Sequence, residues 1–136
     1  MTFPTANIDT ASGGDTLLDA FDNKIDEHFN DGFQHGQRVE QNTQTGTSYT
    51  LVLSDAGKVI ERDNASANTL TVPPNSSVAF PVGTVIGVYR MGAGSTTIVA
   101  GSGVTIRNVG ALRAQYSEAS LRKRATDEWV LSGDLA

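Results

Sequence analysis

Cysteine is absent from this 136-residue chain, which removes disulfides, thiolate zinc sites and cysteine nucleophiles together. Histidine is scarce, with His28 and His35 as the only imidazoles, and zinc needs three or four converging ligands. No metal centre and no cofactor are expected. Long apolar runs are missing as well: nothing approaches the ~18 to 20 residues of a membrane helix. The opening MTFPTANIDT lacks the basic-then-apolar order of a secretory signal, so a soluble chain with no membrane partner is expected. Basic charge is not in excess either. A net charge of -5 argues against a general nucleic-acid binder, which needs a basic face to displace counterions from phosphates.

The charges present are unevenly placed. Residues 1–35 hold seven acids (Asp9, Asp15, Asp19, Asp22, Asp26, Glu27 and Asp31) against Lys24, a local charge of -6. Residues 107–124 are the reverse, with Arg107, Arg113, Arg122, Lys123 and Arg124 against Glu118, or +4. Such polarity suits either two solvated faces or acid-to-base contacts between copies. The length is that of one domain, long enough for a single core.

Residues 1–14 read as an extended arm, containing Pro4 and Ser12-Gly13-Gly14 with few apolar anchors. From Thr16 to Asn30, Leu17, Leu18, Phe21, Ile25 and Phe29 recur at three- and four-residue steps, which predicts one short amphipathic helix. Thr16 caps its start and Gly32 suits its stop. A helix of this length is marginal alone in water, so Leu18, Phe21, Ile25 and Phe29 are assigned to packing on the β domain or on sister helices, as in a trimeric bundle. Residues 33–48 are polar and rich in Gln, Thr and Gly, and read as a linker. The chain therefore divides into 1–46, for attachment and oligomerisation, and 47–136, a β module.

Within the β module, Tyr49–Ser54, Lys58–Arg62, Thr69–Val72, Ser77–Phe80, Thr84–Met91, Ala111–Glu118, Ala119–Arg124 and Glu128–Ser132 read as short strands. Asp63–Asn68 and the glycine turns at 92–94 and 101–103 read as hairpins, and the two glycine-led units as a hairpin rather than a solenoid, since arrays need about three repeats. The expected fold is mainly β, a compact antiparallel sandwich or barrel of about nine to ten short strands.

Few residues suggest chemistry. Gly92-Ala93-Gly94 and Gly101-Ser102-Gly103 lead into β-branched runs instead of the helix N-terminus that a phosphate loop feeds. No Ser lies in a GxSxG elbow. Asp127 and Glu128 are adjacent, so on a strand they face apart and cannot share one glycosidic oxygen. No catalytic residue is assigned. Trp129, Tyr89 and Tyr116 would stack on sugars if exposed; the competing reading for Trp129 is core or subunit packing, with Leu131 on its face and Val130 opposite. The run Arg122-Lys123-Arg124 reads as a solvated edge that discourages strand pairing.

Three phrases, YTLVLSDAGKVIE, NTLTVPPNSSVAFPVGTVIGVYRMGAGSTTIVAGSGVTIR and LRAQYSEASLRKRATDEWVLSGDL, resemble a module of tailed-bacteriophage virion proteins, of capsid decoration, cement or head-fibre type and also of tail-fibre or baseplate type. The phrases fall within residues 49–135, about two thirds of the chain, and TLLDAFDNKIDEHFNDG is similar to the helical lead-in that precedes such modules. The resemblance implies a non-enzymatic homotrimer on the exterior of the phage particle, attached by one end to capsid or other virion proteins. The alternative it implies is a tail-fibre or receptor-binding module for host-surface glycans.

Overall fold

Side chains along a strand alternate between two faces, and this period decides what each segment buries. The computed structural model describes residues 38–108 and 110–136; the expected arm, the helix carrying Leu18, Phe21, Ile25 and Phe29, and both histidines lie outside them. Ten strands follow in order: β1 Gln41–Gln44, β2 Ser48–Thr50, β3 Val59–Arg62, β4 Asn68–Val72, β5 Val85–Arg90, β6 Thr96–Ala100, β7 Thr105–Arg107, β8 Gly110–Ala111, β9 Glu118–Ala125 and β10 Glu128–Gly133. The chain is mainly β, as expected. Its strands form a six-stranded sheet, β1-β3-β5-β9-β10-β7, and a four-stranded sheet, β2-β4-β6-β8. Neither closes into a barrel.

The antiparallel expectation is corrected. Consecutive strands from β1 to β6 alternate between the two sheets, and each of β1 to β4 pairs in parallel with the strand two places on. The chain therefore winds as three stacked coils. In the larger sheet Gln41 pairs with Val59 and Val59 with Gly87, so the second step along the chain is longer than the first. In the other sheet Ser48 pairs with Thr69 and Thr69 with Thr97, again with the longer step second. Parallel neighbours need a crossover, usually a helix; here two corners and a strand of the opposite sheet supply it. The segments at 63–67 and 91–95 are thus corners between sheets, where the sequence suggests hairpins, and Gly101–Val104 carries the chain from β6 to β7. Between strands, antiparallel pairing is confined to β5–β9, β9–β10 and β6–β8.

Other differences are local. Ser77–Phe80 forms no strand, because it sits in the long corner between β4 and β5, where Ser77 and Val78 N–H both donate to the Pro74 carbonyl. Beyond β8, residues 113–117 are loop, and Leu112 makes only an isolated bridge to Leu135. The compact unit starts at Val39 and takes β1 from the stretch read as linker. Its polar Asn42 and Gln44 point inward, Gln44 donating to Asn42 and Asn42 to buried Asp55.

Between the sheets lies one apolar core that includes Leu51, Ile60, Leu70, Ile86, Val88 and Leu121. Each such buried side chain contributes roughly 1.5 to 3 kcal/mol relative to an exposed one. At one end of the strands the corners stack as directly as the strands do. Asp63 N–H donates to the Gln44 carbonyl at 3.1 Å, Met91 N–H to Arg62 at 2.9 Å, and Gly94 N–H to Asn64 at 2.8 Å. Asn64 also donates through Nδ2 to the Thr45 carbonyl at 2.7 Å. So close an approach excludes side chains: a Cβ on Gly94 would collide with the Ser66 carbonyl, and one on Gly92 with the Asn64 backbone. The β9–β10 hairpin turns at Thr126-Asp127 and is inserted between β5 and β7, completing the larger sheet.

Gly94→Ala forces backbone against backbone and should cost more than about 2 kcal/mol. Gly57→Ala, with φ +78° but open space around it, should cost only about 1 kcal/mol, the penalty of left-handed backbone. Thermal or urea unfolding of the two variants measures the difference.

Candidate functional site

The sheet interior is not wholly apolar. Asn42, two residues before Gln44 on β1, faces inward beside Tyr49 of β2. Its Nδ2 donates to Asp55 Oδ1 at 2.8 Å and to Tyr49 Oη at 3.1 Å. The Tyr49 hydroxyl donates to Asp55 Oδ2 at 2.7 Å, and Val52 N–H donates to the same oxygen at 2.9 Å. Asp55, at the end of the short 3-10 turn Leu53–Asp55, is fully buried. Among the described residues no cation forms an ion pair with it; its charge is held by directed hydrogen bonds. Burial, then the bond to Asp55, then the charge of Asp55 push the Tyr49 hydroxyl from 10.0 up to about 12.

Two arginines fill the corner seam. Gln44, Arg62 and Arg90 are register partners on β1, β3 and β5, so the two guanidinium groups belong to adjacent coils. Arg62, fully buried, donates to the carbonyls of Gln44 (3.1 Å), Gly46 (2.8 Å) and Thr69 (3.2 Å). Arg90 donates to Leu112 (3.3 Å) and Ala93 (2.6 Å). The Nε of each has no partner among the described residues. Loss of solvent lowers the Arg62 pKa from its ordinary value. Lys123 is the third interior cation, 1% exposed, with Nζ donating to Asn75 Oδ1 at 2.6 Å and the Phe80 carbonyl at 2.7 Å. These cations bind oxygens that are all, but for Asn75 Oδ1, backbone carbonyls, and so brace the corners.

The three aromatics considered for glycan contact are separated. Trp129 is 1% exposed in the core, edge-on to Phe80 at 5.5 Å, so it offers no platform for a sugar. Its face is shared with buried Leu131, and Val130 is half-buried on the other side. Tyr89 is half-buried on the outer face of the six-stranded sheet. Tyr116 is 65% exposed and has φ +73°, a conformation that costs an aromatic residue about 1 to 3 kcal/mol. Its N–H donates to the Arg90 carbonyl at 2.6 Å, which places it beside the strand end that carries Tyr89. Of the three, Tyr89 and Tyr116 thus fall at the same strand end, while Trp129 lies in the core.

The run Arg122-Lys123-Arg124 is corrected from a solvated edge: β9 lies between β5 and β10, and Lys123 alternates inward with Leu121. Asp127 accepts from Asn75 N–H at 2.8 Å. Glu128 binds Arg107 at 2.8 Å and Arg124 at 3.0 Å, chiefly the former holding its pKa below the usual range. Arg113 clamps Asp134 through two bonds, which lowers the Asp134 pKa. Among the described residues, no three His, Cys, Asp or Glu side chains converge as metal ligands, and no helix is long and apolar enough to cross a membrane.

Sequence reasoning misses the interior polar groups, although period-two spacing marks two of them. Arg62 shares parity with Ile60, and Lys123 with Leu121, so both had to face the core. Asp55 carries no such signal, because it sits in a turn. No protein-family model matches the chain, and comparison with curated proteins finds no significant relative.

Tyr49→Phe leaves buried Asp55 one donor short and should cost about 1 to 3 kcal/mol. Because the folded pKa of Tyr49 is raised, its contribution is full below pH 10.0 and is lost as pH climbs towards about 12. The stability gap between native protein and Tyr49→Phe, followed by urea unfolding, should therefore narrow across that window. Trp129→Ala should cost about 3 to 5 kcal/mol through the cavity it leaves, visible as a lowered Tm.

Proposed function

We propose that the chain is a non-enzymatic structural protein on the exterior of a tailed-phage virion, a trimeric capsid decoration, cement or head-fibre protein. The observation that carries the reading is the resemblance of its three phrases to that class of module. They contain β4 to β7 and β9 to β10 whole. The physical character of the unit supports it: stacked backbone ladders and interior cations bound to fixed carbonyls give a stiff body suited to adhesion rather than turnover. In this reading the part of residues 1–46 that precedes the compact unit at Val39 attaches and oligomerises the protein. Leu18, Phe21, Ile25 and Phe29 pack sister copies, and apolar area buried between subunits stabilises the shell against internal pressure.

One observation favours a second reading, a receptor-binding module for host glycans. Tyr116 is both exposed and held at φ +73°, and outliers of this kind gather at functional sites. With Trp129 in the core, the glycan surface under this reading is Tyr116 with Tyr89.

Light scattering on the full chain should give a mass near 43 kDa, three times the 14.3 kDa chain; a monomer would remove the trimeric assembly. Particle fractionation should place the protein with capsids in high copy. Cosedimentation with tails in a few tens of copies, together with loss of adsorption in Tyr116→Ala, would favour the glycan reading instead.

A further inference from the structure

The outer face of the six-stranded sheet has a charge pattern that its own fold satisfies only in part: Arg107 binds Glu128 and Glu61 accepts from Thr43, but Glu118 and Arg122 have no such partner among the described residues. Register places most of its outward side chains in three rows across the strands; beyond the third lie Thr105 and Glu128, the latter already paired with Arg107 and Arg124. The first contains Thr43, Glu61, Tyr89 and Glu118. The central row is neutral, with Val59, Gly87, Ser120 and Ser132. The third contains Val85, Arg122, Val130 and Arg107. Two residues along a strand span about 6.7 Å, so the acidic and basic rows flank the neutral one on either side.

Glu118 and Arg122 are both exposed. Four residues apart on β9, they are separated by about 13 Å and cannot meet. Neither has an ion-pair partner among the described residues. Val85, also in the basic row, is 48% exposed. The centre of the face is smooth, because Gly87 has no side chain and Ser120 a short one.

We infer that this face docks on the same face of a second copy of the chain, about a twofold axis running along the central row. A half-turn about that line lays β9 antiparallel over the partner's β9. Glu118 then meets the partner's Arg122, and Arg122 meets the partner's Glu118. Tyr89 covers the partner's Val85 in the same reciprocal way, and Gly87 and Ser120 lie on the axis, where the sheets come closest. Each contact occurs twice, as an isologous interface requires. The face covers roughly 450 Å² per copy, or about 900 Å² for the pair, from strand spacing and length. That is below the ~1,200 to 2,000 Å² of stable complexes, so the contact is weak, concentration-dependent and sensitive to salt. It does not depend on a threefold assembly: it pairs monomers, or joins two trimers into a hexamer.

Sedimentation velocity of the full chain tests this. The expected result is a mass that doubles with concentration at low ionic strength and reverts when salt is added. Arg122→Glu and Glu118→Arg should each weaken the doubling by about tenfold or more, because each places like charges together twice. A one-to-one mixture of the two variants should restore it, since every contact is again between opposite charges. Both positions are exposed, and unchanged thermal unfolding would show that the fold is intact. The inference is overturned if the native chain never doubles, if either single change leaves doubling unaltered, or if the mixture fails to recover. A trimer that does not double would overturn this contact and leave the proposed function standing; a monomer that doubles would do the reverse.

Discussion

Everything in the described unit depends on backbone ladders running between successive coils. A single coil, such as the one from Gln41 to its register partner Val59, has too little apolar surface to stand alone, and its main-chain donors and acceptors point along the stack. Once one coil lies on the next, those groups are satisfied and the inward side chains of both coils line the same core. Main chain lies directly on main chain, so the corners must be as regular as the strands. That requirement explains why Gly92 and Gly94 stand where Asn64 and Ser66 pass beneath them. It also explains why polar side chains such as Asn64 are committed to the carbonyls of the coil below.

The same constraint accounts for the interior charges. Strand ends and corners leave carbonyl groups facing inward with acceptor capacity to spare. Arg62 and Arg90 answer that need with forked donors, and Lys123 does so for Phe80 at the other end of the strands. A buried cation without a carboxylate is normally costly, yet here several fixed oxygens share the charge. Asp55 is the mirror case, a carboxylate satisfied by Tyr49, Asn42 and the Val52 amide. These groups give the core directionality that apolar contacts lack, and they tie β1 and β2 to their neighbours where the hydrophobic contribution is thinnest.

Most strands were legible in the sequence because their punctuation is local. Lys58–Arg62, Thr69–Val72, Thr84–Met91 and Glu128–Ser132 agree closely with β3, β4, β5 and β10, and the shared face of Trp129 and Leu131 followed from alternation alone. Pairing was not legible. Glycine corners that switch sheets look the same as glycine hairpins, since both need only tight backbone. The coils differ in length, as the spacing of Gln41, Val59 and Gly87 shows, so no repeat announces itself. Charge also misled: Arg122-Lys123-Arg124 suggests solvent when read as a block, and only residue-by-residue alternation sends Lys123 inward. For the candidate surface, the exposure of Tyr116 and the burial of Trp129 depend on which strands flank them, which composition does not encode.

The hairpin Glu118–Gly133 occupies the middle of the larger sheet although it follows all three coils in the chain. As the polypeptide leaves the ribosome, β5 presents a bare edge and β7 has no strand to pair with until residues 118–133 arrive. The winding of the coils can begin during synthesis, but the sheet closes only afterwards, when the hairpin enters as a wedge. The order of manufacture therefore differs from the order of neighbours, and the final strands act as a latch.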